Sequence, residues 1–125
     1  MVPILDPNRM DQKFKQWLDG CAVASGLLGG GVRRLDGTCL SHSFNENCPR
    51  ERLEEALRCL GDSLPSFATH GLMPRWLTWT FEKGQIRLAE RADGLLLGLA
   101  ILPNSPAAEN LDMLTEEFFN LDLTD

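Results

Sequence analysis

The sequence lacks an apolar run that could cross a membrane. Leu95–Leu102 is apolar throughout, but it is far shorter than the ~20 residues that a spanning helix needs. The amino-terminal residues also lack the basic region and the apolar core of a signal peptide. We therefore expect a cytoplasmic protein that does not act at a membrane.

Cysteine occurs four times, but without the close pairs of a zinc site or a redox motif. The residues are Cys21, Cys39, Cys48 and Cys59. Reduced thiols in a cytoplasm account most simply for this spacing, although the even number leaves one disulfide open. A chain of 125 residues needs neither a disulfide nor a metal to hold its core. We expect a single domain spanning residues 1–125.

The chain also lacks an excess of basic residues. Its 18 acidic and 12 basic side chains give a net charge of −6 and a pI near 4.8. Nucleic acids and anionic membranes repel such a surface. The composition therefore argues against both as partners.

Nucleotide-binding signatures are absent as well. Gly29–Gly31 is glycine-rich, but a dinucleotide fingerprint would require a further glycine at the position of Arg34. The Gly-Lys-Ser/Thr of a phosphate-binding loop occurs nowhere in the chain. These glycines lead into a predicted hairpin, so we interpret them as allowing a helix to lie close to a strand.

Histidine and cysteine are not arranged for metal binding or for nucleophilic catalysis. His42 and His70 fall in different predicted elements, and neither has a second ligand at a suitable spacing. We expect His42 on the solvent side of a strand and His70 at a helix end. Cys39 should point away from His42, and Cys59 should be a small buried side chain. The sequence thus predicts no enzyme, no cofactor and no metal.

Leu95–Leu102 is the element around which the chain is organised. It lies between the turn signal Asp93-Gly94 and Pro103, and an apolar run of this length is typical of a strand covered on both faces. Such a strand requires helices on both sides of its sheet. We therefore predict that it is the central strand.

The remaining patterns predict a helix, two strands, a helix, three strands and a helix. The helices begin near Pro7, Pro49 and Pro106, and Gly61 and Pro65 should interrupt the second. The strands should cover Leu27–Leu35, Thr38–Phe44, Arg75–Glu82, Gln85–Arg91 and Leu95–Leu102.

The strand Arg75–Glu82 carries large side chains on both faces. Alternation places Trp76, Thr78 and Thr80 on one face and Leu77, Trp79 and Phe81 on the other. Two interpretations are open, because helices could cover both tryptophans or the strand could be a sheet edge that pairs with another chain. We favour the pairing edge.

Several stretches resemble the roadblock family of dynein light-chain-like domains, which have a profilin-like or longin-like fold. They are Gly30–Gly37, the charged helix from Pro49, Gln85–Leu88 followed by Asp93–Leu102, and Ser105–Leu111. The resemblance implies an α/β fold of the α+β type, with a five-stranded antiparallel sheet in the order 2-1-5-4-3. The second helix would cover one face, and the first and last helices the other.

The resemblance also implies a function. Family members dimerise by pairing their third strands and packing their second helices, and many are non-enzymatic scaffolds or regulators of small Ras-like GTPases. We therefore expect a homodimeric adaptor or GTPase regulator. The expected interface residues are Trp76, Thr78 and Thr80 on the strand, with Arg52, Glu55 and Arg58 on the second helix.

Two alternatives stay open at this point. An acidic, dimeric secretion chaperone for effector proteins would suit the low pI, but it would place three strands before the middle helix. A profilin-like small-molecule sensor would need a pocket with convergent polar groups.

Overall fold

The structure, a computed structural model, describes residues 7–21, 26–46, 48–71, 76–81 and 84–122. Its elements are α1 (Pro7–Cys21), β1 (Leu27–Arg33), β2 (Cys39–Ser43), α2 (Arg50–Gly61), α3 (Leu64–Thr69), β3 (Trp76–Phe81), β4 (Gly84–Glu90), β5 (Leu96–Ile101), α4 (Pro106–Glu109) and α5 (Leu111–Phe119). The strands form one antiparallel sheet in the order β2-β1-β5-β4-β3. The predicted fold class and strand order are confirmed.

The central strand is β5, as predicted. It pairs with β1 on one side and with β4 on the other, and every residue of Leu96–Ile101 is buried. Leu97, Leu99 and Ile101 contact the core on one face of the sheet, whereas Leu96 joins a smaller cluster on the other. The uninterrupted apolar run thus reflects burial on both faces.

The two faces of the sheet have unequal helical cover. On one face, α1, α4 and α5 bury the larger core, which includes Met10, Phe14, Leu18, Ala107, Leu111, Leu114 and Phe118. On the other face, α2 lies over β2, β1, β5 and the margin of β4. Its Leu57 forms the smaller cluster with Leu88 and Leu96. We call these the α5 face and the α2 face.

Glycines in β1 allow helices to approach the sheet closely, as the sequence predicted. A Cβ atom on Gly30 would lie 2.6 Å from Leu18 Cδ1 of α1, and one on Gly31 would lie 2.8 Å from Leu57 Cδ1 of α2. Real side chains do not tolerate such distances. The glycine run therefore lets both helical layers rest on the strand backbone.

The β1–β2 turn and the helix ends are formed by residues that suit those positions. Gly37 has φ of +88°, a left-handed conformation that favours glycine, and Arg34 N donates a hydrogen bond to Thr38 O across the turn. Ser105 caps the last helical segment by accepting a hydrogen bond from Ala108 N. The first helix begins at Pro7, while Asp6 lies outside the described residues.

Both later helices are divided. The second stops at Gly61 and resumes as α3 at Leu64, which confirms the interruption expected from Gly61 and Pro65. The last is interrupted at Asn110, between α4 and α5, and no proline marks that point. None of the helices in the described ranges is long and apolar enough to span a bilayer.

Two predictions about single residues are wrong. Cys59 is exposed rather than buried, because the apolar side of α2 runs through Leu53 and Leu57 and leaves Cys59 outside it. His42 does not face open solvent, since its ring lies 6.3 Å from that of Phe14 under α1. Its Nε2 atom lies 3.1 Å from Asp11 Oδ1. His70 follows the end of α3 and is exposed, as expected for a helix end.

Substitutions at two glycines should change stability in opposite directions. In Gly31→Ala the new Cβ would lie 2.9 Å from the backbone oxygen of Leu40, which cannot move aside easily. We expect a loss of about 1–3 kcal/mol in the free energy of unfolding. Gly20→Ala, in the open part of α1, has no atom within 4 Å of its Cβ and should gain about 0.5–1 kcal/mol. Urea titrations of both variants test this, and equal effects would contradict the close packing around Gly31.

The Cys21 thiol should make stability depend on alkaline pH. Burial, followed by the nearby Glu117 carboxylate, raises the pKa of Cys21 from 9.0 to about 12. Between those values the unfolded state ionises and the folded state does not, so stability falls as pH rises. The free energy of unfolding should drop more between pH 8 and pH 10 in the natural sequence than in Cys21→Ala. Parallel profiles of the two proteins would contradict the burial of this thiol.

Candidate interface on the edge strand

Strand β3 forms one border of the sheet. Its residues Trp76–Phe81 pair with Ala89–Gly84 of β4, and the strand has no neighbour on its other side within the described chain. The hydrogen-bonding groups on an open border can pair with a further strand. The other border is β2, a five-residue strand that carries Ser41, His42 and Ser43. Both strands lie where the sequence predicted the edges.

An apolar surface covers the α2 face of this border. It consists of Leu77, Trp79 and Phe81 of β3 and Ile86 of β4, and we call it the edge patch. Trp79 and Ile86 contact the smaller core cluster with one side and are only partly buried, while Phe81 is 49% exposed. The helices on this face, α2 and Leu64 of α3, therefore cover these side chains only in part. The edge patch therefore adjoins the open strand border.

The α5 face of β3 has a different character. Thr78 and Thr80 are exposed, and each accepts a hydrogen bond from β4, Thr78 from Arg87 Nε (2.7 Å) and Thr80 from Gln85 Nε2 (3.5 Å). Trp76 is half-buried, with its ring stacked 6.3 Å from that of Phe119. A helix thus partly covers Trp76, while Trp79 lies in the edge patch, and pairing of this border with another chain stays a prediction.

The outer surface of α2 is charged. Arg52, Glu55 and Arg58 are all exposed, as expected for interface candidates. Arg50 and Glu54 form a pair one turn apart at 3.7 Å, and Glu54 also accepts a hydrogen bond from the buried Ser41 (2.8 Å). The hydrogen bond holds the inner edge of α2 on β2. The outer surface is therefore free to meet another molecule.

The structure does not bring the six expected interface residues onto one surface. Trp76, Thr78 and Thr80 lie on the α5 face, whereas Arg52, Glu55 and Arg58 lie on the opposite side of the sheet, on α2. The residues that share the α2 side with them are those of the edge patch, which the sequence reasoning did not select. Alternation along β3 correctly separated its two faces. It did not indicate which face the helices would leave partly uncovered.

The thiols and carboxylates outside this surface show structural roles. Burial raises the pKa of Cys39 and of Cys48, so both are protonated at neutral pH. Thr38 donates hydrogen bonds to the Asp36 carboxylate. These bonds lower the pKa of Asp36 and hold the β1–β2 turn in place. Over the described ranges, no group of three or more His, Cys, Asp or Glu residues is placed to hold a metal ion. The edge strand is thus the most distinctive surface of the described chain.

Several solved structures share this architecture. MglB of Myxococcus xanthus superposes with a TM-score of 0.64 at 7% identity, over 96% of this chain and 92% of that one. MglC of the same organism superposes with a TM-score of 0.59 at 15% identity, over 86% of this chain and 98% of that one. A Roadblock/LC7 domain from Streptomyces avermitilis superposes with a TM-score of 0.54 at 14% identity, over 82% of this chain and 91% of that one.

Sequence comparison alone does not connect the chain with these structures. Neither a protein-family model nor a curated protein matches the chain. The structures nevertheless agree over nearly the whole length, and they include a Roadblock/LC7 domain. The resemblance inferred from the sequence is confirmed at the level of the fold. The chain has the roadblock/LC7 fold.

Proposed function

We propose that this protein is a non-enzymatic, homodimeric adaptor or regulator of a small Ras-like GTPase. The observation that carries the proposal is the open border of β3 next to the edge patch. A monomer would leave Phe81 49% exposed and Trp79 partly exposed beside unpaired strand groups. Such a border invites association with another chain. The roadblock family, whose fold the chain shares, uses its third strand in this way.

A second copy of the chain fits this surface. Two β3 strands can pair antiparallel about a two-fold axis and extend the sheet, because the same border is presented by both copies. The α2 helix of each copy would then cover the edge patch of the other. A specific interface of this kind buries on the order of 1,600 Å² in total. The main-chain hydrogen bonds between the two strands would fix the geometry of the dimer. Burial of the edge patch would supply most of the affinity.

The charges on α2 suit contact with a like surface. Arg52 and Arg58 alternate with Glu51 and Glu55 along its exposed side. Because both signs are present, two antiparallel copies can place opposite charges together. Pairs on an exposed rim add little affinity, but they exclude wrong registers. Between the two copies we therefore assign Arg52, Glu55 and Arg58 to orientation rather than to binding energy, and on the exposed rim of the dimer these side chains remain accessible to a GTPase.

The regulatory role rests on the fold and on the chemistry of the site. Members of the roadblock family act as scaffolds or regulators of small Ras-like GTPases, and we extend this role to the present chain. An adaptor needs a rigid, self-associating platform with an exposed charged helix. The sheet border and the outer surface of α2 supply both, and neither calls for a catalytic side chain.

The alternatives have less support. The secretion-chaperone reading required three strands before the middle helix, whereas two precede α2. The sensor reading required convergent polar groups. In a depression of about 440 Å³ beside the β4–β5 turn, the charged groups Arg91 and Asp93 instead bind each other at 3.0 Å.

A charge in the edge patch should separate the two copies. We expect Phe81→Glu to raise the dimer dissociation constant by at least about 30-fold, because each copy would bury an unpaired carboxylate in the apolar edge patch. The matched control is Phe44→Glu, since Phe44 is 40% exposed at the end of β2, on the opposite border. Sedimentation equilibrium measures both constants, and circular dichroism checks folding. A folded Phe81→Glu protein that dimerises like the control would refute this interface.

The partner is tested by affinity capture from the native cell. The dimer should retain a small GTPase, and replacing Arg52, Glu55 and Arg58 together by alanine should reduce its recovery about tenfold or more. A matched triple replacement of Lys15, Gln16 and Asp19 on α1, which are also exposed, should leave recovery unchanged. A dimer that retains no GTPase, or equal recovery with both variants, would contradict the regulatory role.

A further inference from the structure

Arg87 is a charged residue in the interior of the sheet. It lies in the middle of β4, is 7% exposed, and projects on the α5 face. Its guanidinium donates hydrogen bonds to Thr78 Oγ1 of β3 (2.7 Å), to Asp112 Oδ1 of α5 (2.9 Å) and to Thr115 Oγ1 of α5 (3.3 Å). One side chain therefore connects the edge strand, its neighbour and a helix.

Two aromatic rings also link Arg87, β3 and α5. The guanidinium carbon of Arg87 lies 4.9 Å from the ring of Trp76, and that ring stacks on Phe119 of α5 at 6.3 Å. Arg87 thus contacts β3 at two residues, Trp76 and Thr78, through different kinds of interaction. Both contacts are to the strand that carries the candidate interface.

Strand β3 depends on this connection more than the other strands depend on theirs. Within the described ranges it pairs on one side only, and on its α2 face Trp79 is only partly buried against the smaller core cluster. An edge strand with so few packing contacts opens locally at low free-energy cost. On its α5 face, the described contacts that hold it to a helix run through Arg87 and Trp76.

We propose that Arg87 is a positioning residue for the candidate interface, which ties β3 to α5 and holds the strand border ready for pairing. An ordered strand loses less conformational entropy when it binds, so this connection raises affinity without contacting the second chain. The predicted effect of Arg87 on affinity rests on the proposed dimer. The ordering of β3 is a property of one chain by itself.

Replacing Arg87 by methionine isolates this role. Methionine keeps an unbranched apolar side chain beside Trp76 but removes all three hydrogen bonds. The partners are not left stranded, because Thr78 and Asp112 are exposed to water and Thr115 still donates to Leu111 O (2.8 Å). We therefore expect Arg87→Met to fold.

Arg91 supplies a closely matched control. It follows β4, donates to the carbonyl oxygens of Phe118 (3.1 Å) and Leu121 (2.8 Å), and lies 5.2 Å from the ring of Phe118. Arg91 thus binds the end of α5 and an aromatic ring, as Arg87 does, but none of these contacts is to β3. Arg91→Met should loosen α5 without releasing the edge strand.

Amide hydrogen exchange in the Phe81→Glu background tests the ordering of β3 without a contribution from dimerisation. We expect Arg87→Met to speed exchange of the β3 amides about tenfold while the β5 amides keep their rates. Arg91→Met should leave the β3 rates unchanged. Unchanged β3 exchange in Arg87→Met, or an equal increase in β3 and β5, would overturn the proposal, the latter because it would indicate only a global loss of stability.

The effect on affinity is measured in the natural background by sedimentation equilibrium. Arg87→Met should raise the dimer dissociation constant about tenfold and Arg91→Met should not change it. Equal constants for the two variants would overturn the link between ordering and affinity. If the natural protein were monomeric at every concentration, the proposed dimer would fail, while the exchange experiment would still decide whether Arg87 orders β3.

Discussion

The burial of β5 on both faces is the constraint on which the rest of the structure depends. An apolar strand of this kind cannot face water on either side, so helices must pack above and below it. The glycines of β1 allow those helices to come close, because Gly30 receives Leu18 and Gly31 receives Leu57. The central position of β5 and the two helical layers follow from this one requirement.

The unequal cover of the two faces leaves an apolar surface at one border of the sheet. Segments α1, α4 and α5 bury the larger core on the α5 face, whereas α2 and Leu64 of α3 pack on the smaller cluster of the other. Beside that cover, Trp79 of β3 is only partly buried and Phe81 is 49% exposed. The edge patch is the apolar area left over, and Arg87 holds the same strand from the covered side. The fold thus produces an ordered border with an apolar flank.

The sequence predicted the fold better than the site, for physical reasons. Strand and helix periods, the turn at Gly37 and the cap at Ser105 depend on neighbouring residues, so they can be read locally. The exposure of Cys59 depends on how α2 is rotated against the sheet, and the contact of His42 depends on where α1 crosses β2. The choice between the two faces of β3 required knowing the width of the helical cover. None of these is encoded in a local pattern.

The central claim is that a second copy of the chain covers the border of β3. The most direct test is an isotope-filtered nuclear Overhauser spectrum of a mixture of labelled and unlabelled chains, which detects only contacts between copies. Our account predicts contacts between the β3 backbones of two chains, and between the Trp79 ring of one chain and the α2 helix of the other. Contacts confined to β2, or to the outer surfaces of α1 and α5, would contradict it.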